Sequence, residues 1–338
     1  MRKVLWFGWQ KLSDAEFAAF LAHAKIVKQS AVRTVYTDGR LFLKHDRRLT
    51  AGFYNEYANA SYLEKLGLPV VRHLAFGYSL RGHYLLTEAL PGAVETEEYI
   101  FERPPDADFL DALVALIVKM EAARVIHRDW LPQNILYQPA EKRCTLVDVH
   151  AVKRRPRPAG PAGFGGILTY FRPYLDTETL ARHLAAAGVP EAEKRARAAM
   201  AWPWHITPED YHKRRGQILS GYPKFTRLCD GLLLDRYARA EDLAAAVRRP
   251  GGEREFLHYY FLRMAGIPPA RVFGFDPVKQ ELLTLPDAAY APVTPELFAD
   301  YRARAAAAGM ETVPEDWRCD AHGRAALFNL HKSPPLPE

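Results

Sequence analysis

The sequence predicts an α+β chain with two lobes, a small β-rich lobe followed by a helical one, and a cleft between them. Three observations carry this expectation. An Asp38-Gly39 pair sits between the apolar runs of "VRTVYTDGRLFLKHD", and Asp-Gly flanked by such runs is the strongest short-range hairpin signal. A helix and a second strand pair follow it. Then "DADFLDALVALIVKMEAA" reads as a long, largely apolar helix of the kind buried in a core, and it leads into an acid-bearing loop, "VIHRDWLPQNIL".

Taken in order, "SDAEFAAFLAHAKIV" opens on a Ser13/Glu16 capping box and reads as an amphipathic helix continuing to Val27. After the hairpin comes the helix "FYNEYANASYLEKLG", closed by Gly67 with Pro69 just beyond. "RHLAFGYSLRGHYLLTEALPG" is a strand pair broken at Arg81-Gly82, leading to a connector at Leu90-Pro91-Gly92. Past the acid-bearing loop, "NILYQ" and "CTLVDV" are short β-like runs. "KRRPRPAGPAGFGG" has the Pro/Gly density of a loop, and the chain then turns mostly helical to about Ser220.

Composition bounds the partners. A chain of 338 residues, 49% hydrophobic and 25% charged, can bury a large single core or two domains. Its most apolar stretch, around "DALVALIVKM", is too short to cross a bilayer and carries an acid and a lysine. The start, "MRKVLWFGWQKLSDAEF", lacks the apolar core and small-residue cleavage site of a signal peptide. Cys144, Cys229 and Cys319 are far apart and odd in number, so neither a disulfide framework nor a zinc pattern is expected, and the setting reads as reducing and cytoplasmic. A net charge of +6 favours anionic partners, be they phosphates, acidic glycans, nucleic acid or anionic lipid, without choosing among them.

The loop suggests phosphoryl transfer. That chemistry needs a residue to orient the attacking hydroxyl, metal ions on hard oxygen ligands, and a cation for the donor's phosphates. Asp129 and Asn134 are five apart, as in H-R-D-x-x-x-x-N, with Asp129 to accept the hydroxyl proton and Asn134 to offer a metal oxygen. Asp148 in "LVDVH" is fourteen residues after Asn134, where a short hairpin can return a second metal ligand. Lys44 in "LFLK" and Glu56 on the following helix supply the ion pair that sets a lysine against phosphates. Singly, each has a plainer reading. His127-Arg128-Asp129 could be a capping turn, Lys44 a snorkelling strand residue and Glu56 a solvated helix face. Their joint order on the right elements favours a catalytic set, in which Arg128 beside the base orders the loop.

These motifs, "VRTVYTDGRLFLKHD", "YNEYANASYLEKLGLPV", "IHRDWLPQNIL" and above all "LVDVHAVK", resemble the lipopolysaccharide core kinases of the Kdo/WaaP type. His150 stands where D-F-G kinases carry glycine, as in the D-L-H-R form of that family. The resemblance covers about residues 30 to 155, with weaker support to about 220. It implies a protein-kinase-like bilobal fold, N-lobe about 1–92 and C-lobe about 93–220. It also implies ATP- and Mg²⁺-dependent phosphorylation of a heptose or Kdo hydroxyl of the inner core, at the cytoplasmic face of the inner membrane. The partner expected is therefore the core or a related anionic glycan, with peripheral contact to anionic membrane and no nucleic acid.

The chain departs from the kinase pattern in having no glycine-rich phosphate loop, which leaves the Ser30 and Ala31 backbone amides to cover the phosphates. The connector Glu88, Ala89 and Leu90 is the adenine candidate. Asn134 is the generic kinase residue where core kinases often carry histidine. The basic run Lys153, Arg154, Arg155 and Arg157 follows the second metal acid, where an anionic acceptor could dock or a solvated linker could lie.

The last third echoes the first. "TRLCDGLLLDRYAR" parallels "TVYTDGRLFLKHDR", which would carry Lys44 to Arg236. "REFLHYYFLRMAGIPPARVFGF" parallels "NEYANASYLEKLGLPVVRHLAFGY", which carries Glu56 to Glu255. Laying "HGRAALFNL" on "HRDWLPQNI" puts Arg324 at the Asp129 position and the second metal acid past the last residue. Residues 221–338 are thus expected to be a degenerate, non-catalytic kinase-like repeat, with "HKSPPLPE" a disordered tail. Besides a glycan kinase, two readings stay open: a phosphotransferase for another small-molecule or protein hydroxyl, and a non-catalytic scaffold.

Overall fold

The computed structural model describes residues 4–9, 11–48, 52–102, 106–129, 131–156, 171, 175–201, 206–222, 225–321 and 325–330. The chain forms two compact units, the first Met1–Tyr99 with Asp106–Ala159, the second Ile100–Pro105 with Gly160–Glu338. The division therefore falls near residue 160, not at the expected 220. Ile218, on the last helix before the second sheet, is buried in one apolar cluster with Phe261 and Trp317, which ties that helix to the C-terminal unit.

Unit 1 opens with β1 (Leu5–Gly8), α1 (Asp14–His23), β2 (Lys25–Gln29), β3 (Arg33–Thr37) and β4 (Leu41–Asp46). Helix α2 (Gly52–Lys65) and the hairpin β5 (His73–Ser79) and β6 (Gly82–Glu88) follow. These strands form one antiparallel sheet in the order β1-β5-β6-β4-β3-β2. Local chemistry sets its turns. Asp38 Oδ1 accepts from the Arg40 and Leu41 amides at 2.9 and 2.8 Å, while Gly39 takes the left-handed conformation that a β-carbon would oppose. The Ser13/Glu16 capping box forms as expected. However, α1 stops at His23, and Lys25 to Val27, expected to prolong it, belong instead to β2, which runs to Gln29 and pairs with β3. Helix α2 ends where Leu68 N–H reaches the Leu63 carbonyl at 3.0 Å around Gly67, the αL closure that glycine permits.

The lower part of unit 1 holds β7 (Val94–Glu95), α3 (Thr96–Glu102), α4 (Ala107–Ala122) and β8 (Val125–His127), then β9 (Ile135–Gln138), β10 (Arg143–Leu146) and β11 (Val152–Arg154). Asp106 caps α4, whose Phe109, Leu113, Leu116 and Ile117 are buried, so the long apolar helix is a core helix as expected. Lys153 and Arg154, expected in a loop, belong to β11 and pair with β8. Two backbone bonds, Val71 N–H to Leu146 O and Leu146 N–H to Pro69 O, both 2.9 Å, fasten the entry to β5 onto the end of β10. They fix where the following Asp148 lies. This is the protein-kinase-like α+β arrangement the motifs imply.

Unit 2 begins with α5 (Thr177–Ala186), α6 (Ala192–Met200) and α7 (Pro208–Leu219). Its strands are β12 (Thr226–Cys229), β13 (Leu232–Asp235), β14 (Val247–Pro250), β15 (Val272–Asp276) and β16 (Glu281–Thr284), in sheet order β12-β13-β15-β16-β14. Helix α8 (Ala240–Ala245) precedes β14, and α9 (Glu253–Met264) follows it. Last come β17 (Ala291–Pro292), α10 (Pro295–Ala307), β18 (Trp317–Cys319) and β19 (Ala325–Leu327), the three strands forming a small sheet.

The expected alignment of this half needs correcting. The β12–β13 hairpin exists, but β13 pairs with β15 rather than with β16, so Arg236 does not occupy the place of Lys44. The strand that pairs with β16, as β4 pairs with β6, is β14. Arg324 and the tail from 331 lie outside the described residues. Among the described residues no helix is long and apolar enough to cross a membrane.

Candidate active site

Unit 1 brings the central residues together. Lys44 on β4 points its ammonium at Glu56 Oε1 on α2, 2.6 Å away, and at Asp148 Oδ1, 3.4 Å away. Glu56 is 2% exposed, and its Oε1 also lies 3.4 Å from His73 Nε2. A buried carboxylate without a cation is strongly disfavoured, so this pairing is what keeps Glu56 ionised. Burial alone would raise its pKa, yet Lys44 and His73 together lower it below the usual value. Burial would likewise depress the Lys44 ammonium, but Asp148 and Glu56 together raise it.

Asp148 follows β10 in a left-handed backbone conformation, φ 54° and ψ 45°, uncommon for a residue other than glycine, asparagine or aspartate. Burial would push its carboxyl up, but Lys44, His150 and Arg33 hold it well below the usual carboxylate range. His150 Nδ1 lies 3.1 Å from Asp148 Oδ1, and that hydrogen bond raises the imidazole pKa against the opposing effect of burial.

The acid-bearing loop closes the other side. Asn134 ends a short 3-10 turn, and its Nδ2 donates to the Asp129 carbonyl at 2.8 Å and to Asp129 Oδ2 at 3.3 Å. That leaves Asn134 Oδ1 as the oxygen it can offer a cation. The Asn134 carbonyl accepts from Val147 N–H at 2.9 Å, so the loop and the Asp148 strand are locked side by side. Asp129 N–H donates to His127 Nδ1 at 3.2 Å, and Arg128 N–H to Ala151 O at 3.1 Å. The Arg128 side chain is exposed, so its hold on the loop is through the backbone.

Hard oxygen donors suit magnesium. Asp148 and Asn134 offer a carboxylate and an amide oxygen from adjoining backbones. Glu56, Asp148 and His150 also bring ligand atoms within 4.8 Å of one another. Of these, Glu56 is buried against the Lys44 ammonium and His73, and His150 Nδ1 is engaged by Asp148, so the Asp148–Asn134 pair fits a cation better.

Other expected positions fare differently. The Ser30 N–H is used by the Arg33 carbonyl at 2.8 Å in the β2–β3 turn, which removes it from a phosphate cradle; Ala31 lies in that same turn. The connector amides of Glu88 and Ala89 donate to Arg72 O and Arg40 O, at 3.0 and 2.8 Å, so both are engaged by backbone carbonyls of this unit. Arg154 stacks on the Tyr62 ring, 3.8 Å to its centroid, Lys153 is exposed, and Arg155 N–H is bound to Arg124 O. Arg157 lies outside the described residues.

Two residues of the site escape sequence reasoning. Arg33, bonded to Asp46 Oδ2, contributes positive field at both Lys44 and Asp148. Asn59 on α2 donates to Val149 O at 2.9 Å and so holds the turn after Asp148. Asn59 lies three residues past Glu56, on the same helix face, which is the signal that could have found it. Arg33 carries no comparable signal, since it looks like any polar strand residue.

Comparison with known proteins follows this geometry. Residues 2–160 match the lipopolysaccharide kinase (Kdo/WaaP) family. No curated protein matches in sequence. Among solved structures, the bifunctional kinase-methyltransferase WbdD aligns at 17% identity and TM-score 0.35, over 50% of this chain and 41% of that one. An aminoglycoside-3'-phosphotransferase of type VIII aligns at 17% identity and TM-score 0.34, over 55% of this chain and 89% of that one. The chain thus spans less than half the length of WbdD. Over residues 2–160, the stretch that holds unit 1 and its site, this chain is similar to the lipopolysaccharide kinase (Kdo/WaaP) family.

Proposed function

We propose that unit 1 transfers the terminal phosphoryl group of ATP, with Mg²⁺, to a hydroxyl of heptose or Kdo in the lipopolysaccharide inner core. The observation carrying this reading is the convergence of a strand cation and two distant acids: Lys44 lies 2.6 Å from Glu56 and 3.4 Å from Asp148, beside the hydrogen-bonded Asp129–Asn134 pair. Lys44, oriented by Glu56, holds the donor's phosphates. Asp129 accepts the proton of the attacking hydroxyl as the new O–P bond forms and ADP departs. Asp148 and Asn134 hold the metal, which neutralises charge on the phosphates when bound.

The family match over residues 2–160 supports a core-sugar acceptor, and the +6 net charge is consistent with an anionic glycan. The test is incubation of the protein with ATP, Mg²⁺ and dephosphorylated core oligosaccharide, read by mass spectrometry. A phosphoryl adduct on heptose or Kdo is expected. Turnover with aminoglycoside or protein acceptors and none with the core sugars would instead establish the phosphotransferase and reject this acceptor.

A further inference from the structure

Unit 2 repeats several of the backbone contacts that build the site of unit 1. Val70 bridges Leu146 in parallel, and Pro269 bridges Leu327 in the same way. Val71 N–H to Leu146 O at 2.9 Å has its counterpart in Ala270 N–H to Leu327 O at 2.8 Å. Val147 N–H to Asn134 O at 2.9 Å has its counterpart in Phe328 N–H to Asp316 O at 2.7 Å. Asn134 and Asp316 each end a 3-10 turn that starts with proline. Even the α2 anchor recurs: Asn59 reaches Val149 O, and the buried His258 on α9 reaches Leu330 O at 2.7 Å.

Strand register completes the correspondence. Lys44 faces Leu85 across the β4–β6 pair, and Arg249 faces Leu282 across β14–β16. Leu85 and Leu282 in turn face Phe76 and Phe275, and both hairpins carry a bulge one step further along. Gly67 and Gly266 close the two helices identically, which sets Glu255 at the place of Glu56. Register thus places Arg249 where Lys44 stands, Asp316 where Asn134 stands and Asn329 where Asp148 stands. The catalytic-loop position of Asp129 falls on Glu311. The main difference is that the single helix α10 takes the place of α3 and α4.

The exchange of Asn134/Asp148 for Asp316/Asn329 preserves the donor set: one carboxylate and one amide oxygen on adjoining backbones. Asn329 Nδ2 lies 3.3 Å from Asp316 Oδ1. A cavity of about 280 Å³ opens there, lined by Arg249, Glu255, Leu282, Asp316, Phe328 and Asn329 among others. Its volume is near the lower end for small-ligand sites, roughly 300 Å³ and above. The Arg249 Nε is buried and has no hydrogen-bond partner, a cost unless something else satisfies it. Glu315 also lines the cavity, so its described lining holds the Arg249 guanidinium together with three carboxylates, those of Glu255, Glu315 and Asp316. A cation–polyphosphate complex carries groups that match both signs.

We infer that unit 2 is a second kinase-like fold whose cavity binds a divalent metal–nucleoside triphosphate, with Arg249 on the phosphates and Asp316 with Asn329 on the metal. The nucleotide class rests on the phosphotransferase reading of unit 1; the cavity and its register do not.

Isothermal titration of the full chain with the non-hydrolysable analogue AMP-PNP and Mg²⁺ tests this. The wild type should bind two equivalents, and Lys44→Ala/Asp148→Ala should retain one. In that background Arg249→Gln should weaken the remaining binding roughly ten- to hundredfold, the loss of a charge-assisted contact. Arg249→Lys, which restores the cation found in unit 1, should recover most of it, with unchanged melting curves showing that the variants are folded. EDTA should abolish it.

Three results would overturn the inference: a single equivalent in the wild type that vanishes in the Lys44/Asp148 variant, indifference to Arg249→Gln, or undiminished binding in EDTA. If instead binding survives in unit 2 while the Lys44/Asp148 substitutions change nothing, the reading of unit 1 fails and this one stands.

Discussion

Asn59 Nδ2 donates to the Val149 carbonyl at 2.9 Å, so the helix that carries Glu56 also holds the turn that carries Asp148. One amide therefore couples the lysine's partner to the left-handed Asp148 backbone. Asn59→Leu, which keeps volume but removes the donor, should reduce kcat about tenfold through misplacement of Asp148. The cost in stability should be only about 1 kcal/mol, the net worth of one hydrogen bond. Kinetics beside urea denaturation checks this; unchanged kcat in a folded variant would deny the coupling.

Lys44 balances two acids, one of them buried. Lys44→Met should abolish measurable turnover, and it should also destabilise unit 1 by about 3 kcal/mol, because Glu56 is left as an uncompensated buried charge. Adding Glu56→Leu should restore much of the stability and none of the activity. A double variant no more stable than Lys44→Met would mean that Glu56 is not the source of the penalty.

Asp129 and Asp148 should separate kinetically. Asp129→Ala should lower kcat by about 10³ or more while Mg²⁺–AMP-PNP affinity stays nearly unchanged, since the base acts on the acceptor. Asp148→Ala should weaken nucleotide binding in Mg²⁺ and leave metal-free binding alone. Titration with and without EDTA distinguishes the two, and identical metal dependence in both variants would reject Asp148 as a ligand.

The parts of this molecule that were legible in the sequence are those written in short-range chemistry. The Ser13/Glu16 cap, the Asp38-Gly39 turn, the Gly67 closure and the apolar helix over 107–122 each follow from residues within a few positions of one another. The same holds for Asp129 and Asn134, whose spacing puts them within hydrogen-bond reach. What local pattern could not reveal was pairing partner. β1 is "LWFG", apolar at nearly every position, so no alternation marks it; its Phe7 shows its place only by stacking on Phe76, 5.3 Å between ring centroids.

The β12–β13 hairpin failed as a guide for the same reason. Its Asp-Gly turn matches that of β3–β4, but which strand a hairpin joins is decided by distant residues. β14, "VRRP", has little apolar alternation and ends in proline, so it carried no strand signal, although it holds Arg249 in register with Leu282. The unit boundary was missed likewise, because the side on which a helix buries its apolar face is a long-range fact.

Asp46 supplies a test by acid. It ends β4, is fully buried, and receives Arg33 and Arg48 through Oδ2 at 3.2 and 3.0 Å. Burial would raise its pKa, but the two guanidinium groups outweigh that and lower it to about 2. Because the folded-state pKa lies below the unfolded one, near 3.9, the unfolded chain binds the proton more readily. The stabilisation is therefore complete above about pH 4 and is lost as pH falls through 2. A full shift would contribute about 2 kcal/mol, but Arg33 and Arg48 are 36% and 57% exposed, and solvent screening brings the expected effect nearer 1 kcal/mol. Asp46→Asn should lower stability at pH 7 by that amount and flatten its fall between pH 4 and 2. Urea unfolding at both pH values measures it, and parallel acid profiles for the variant and wild type would show that this carboxylate is not the titrating group.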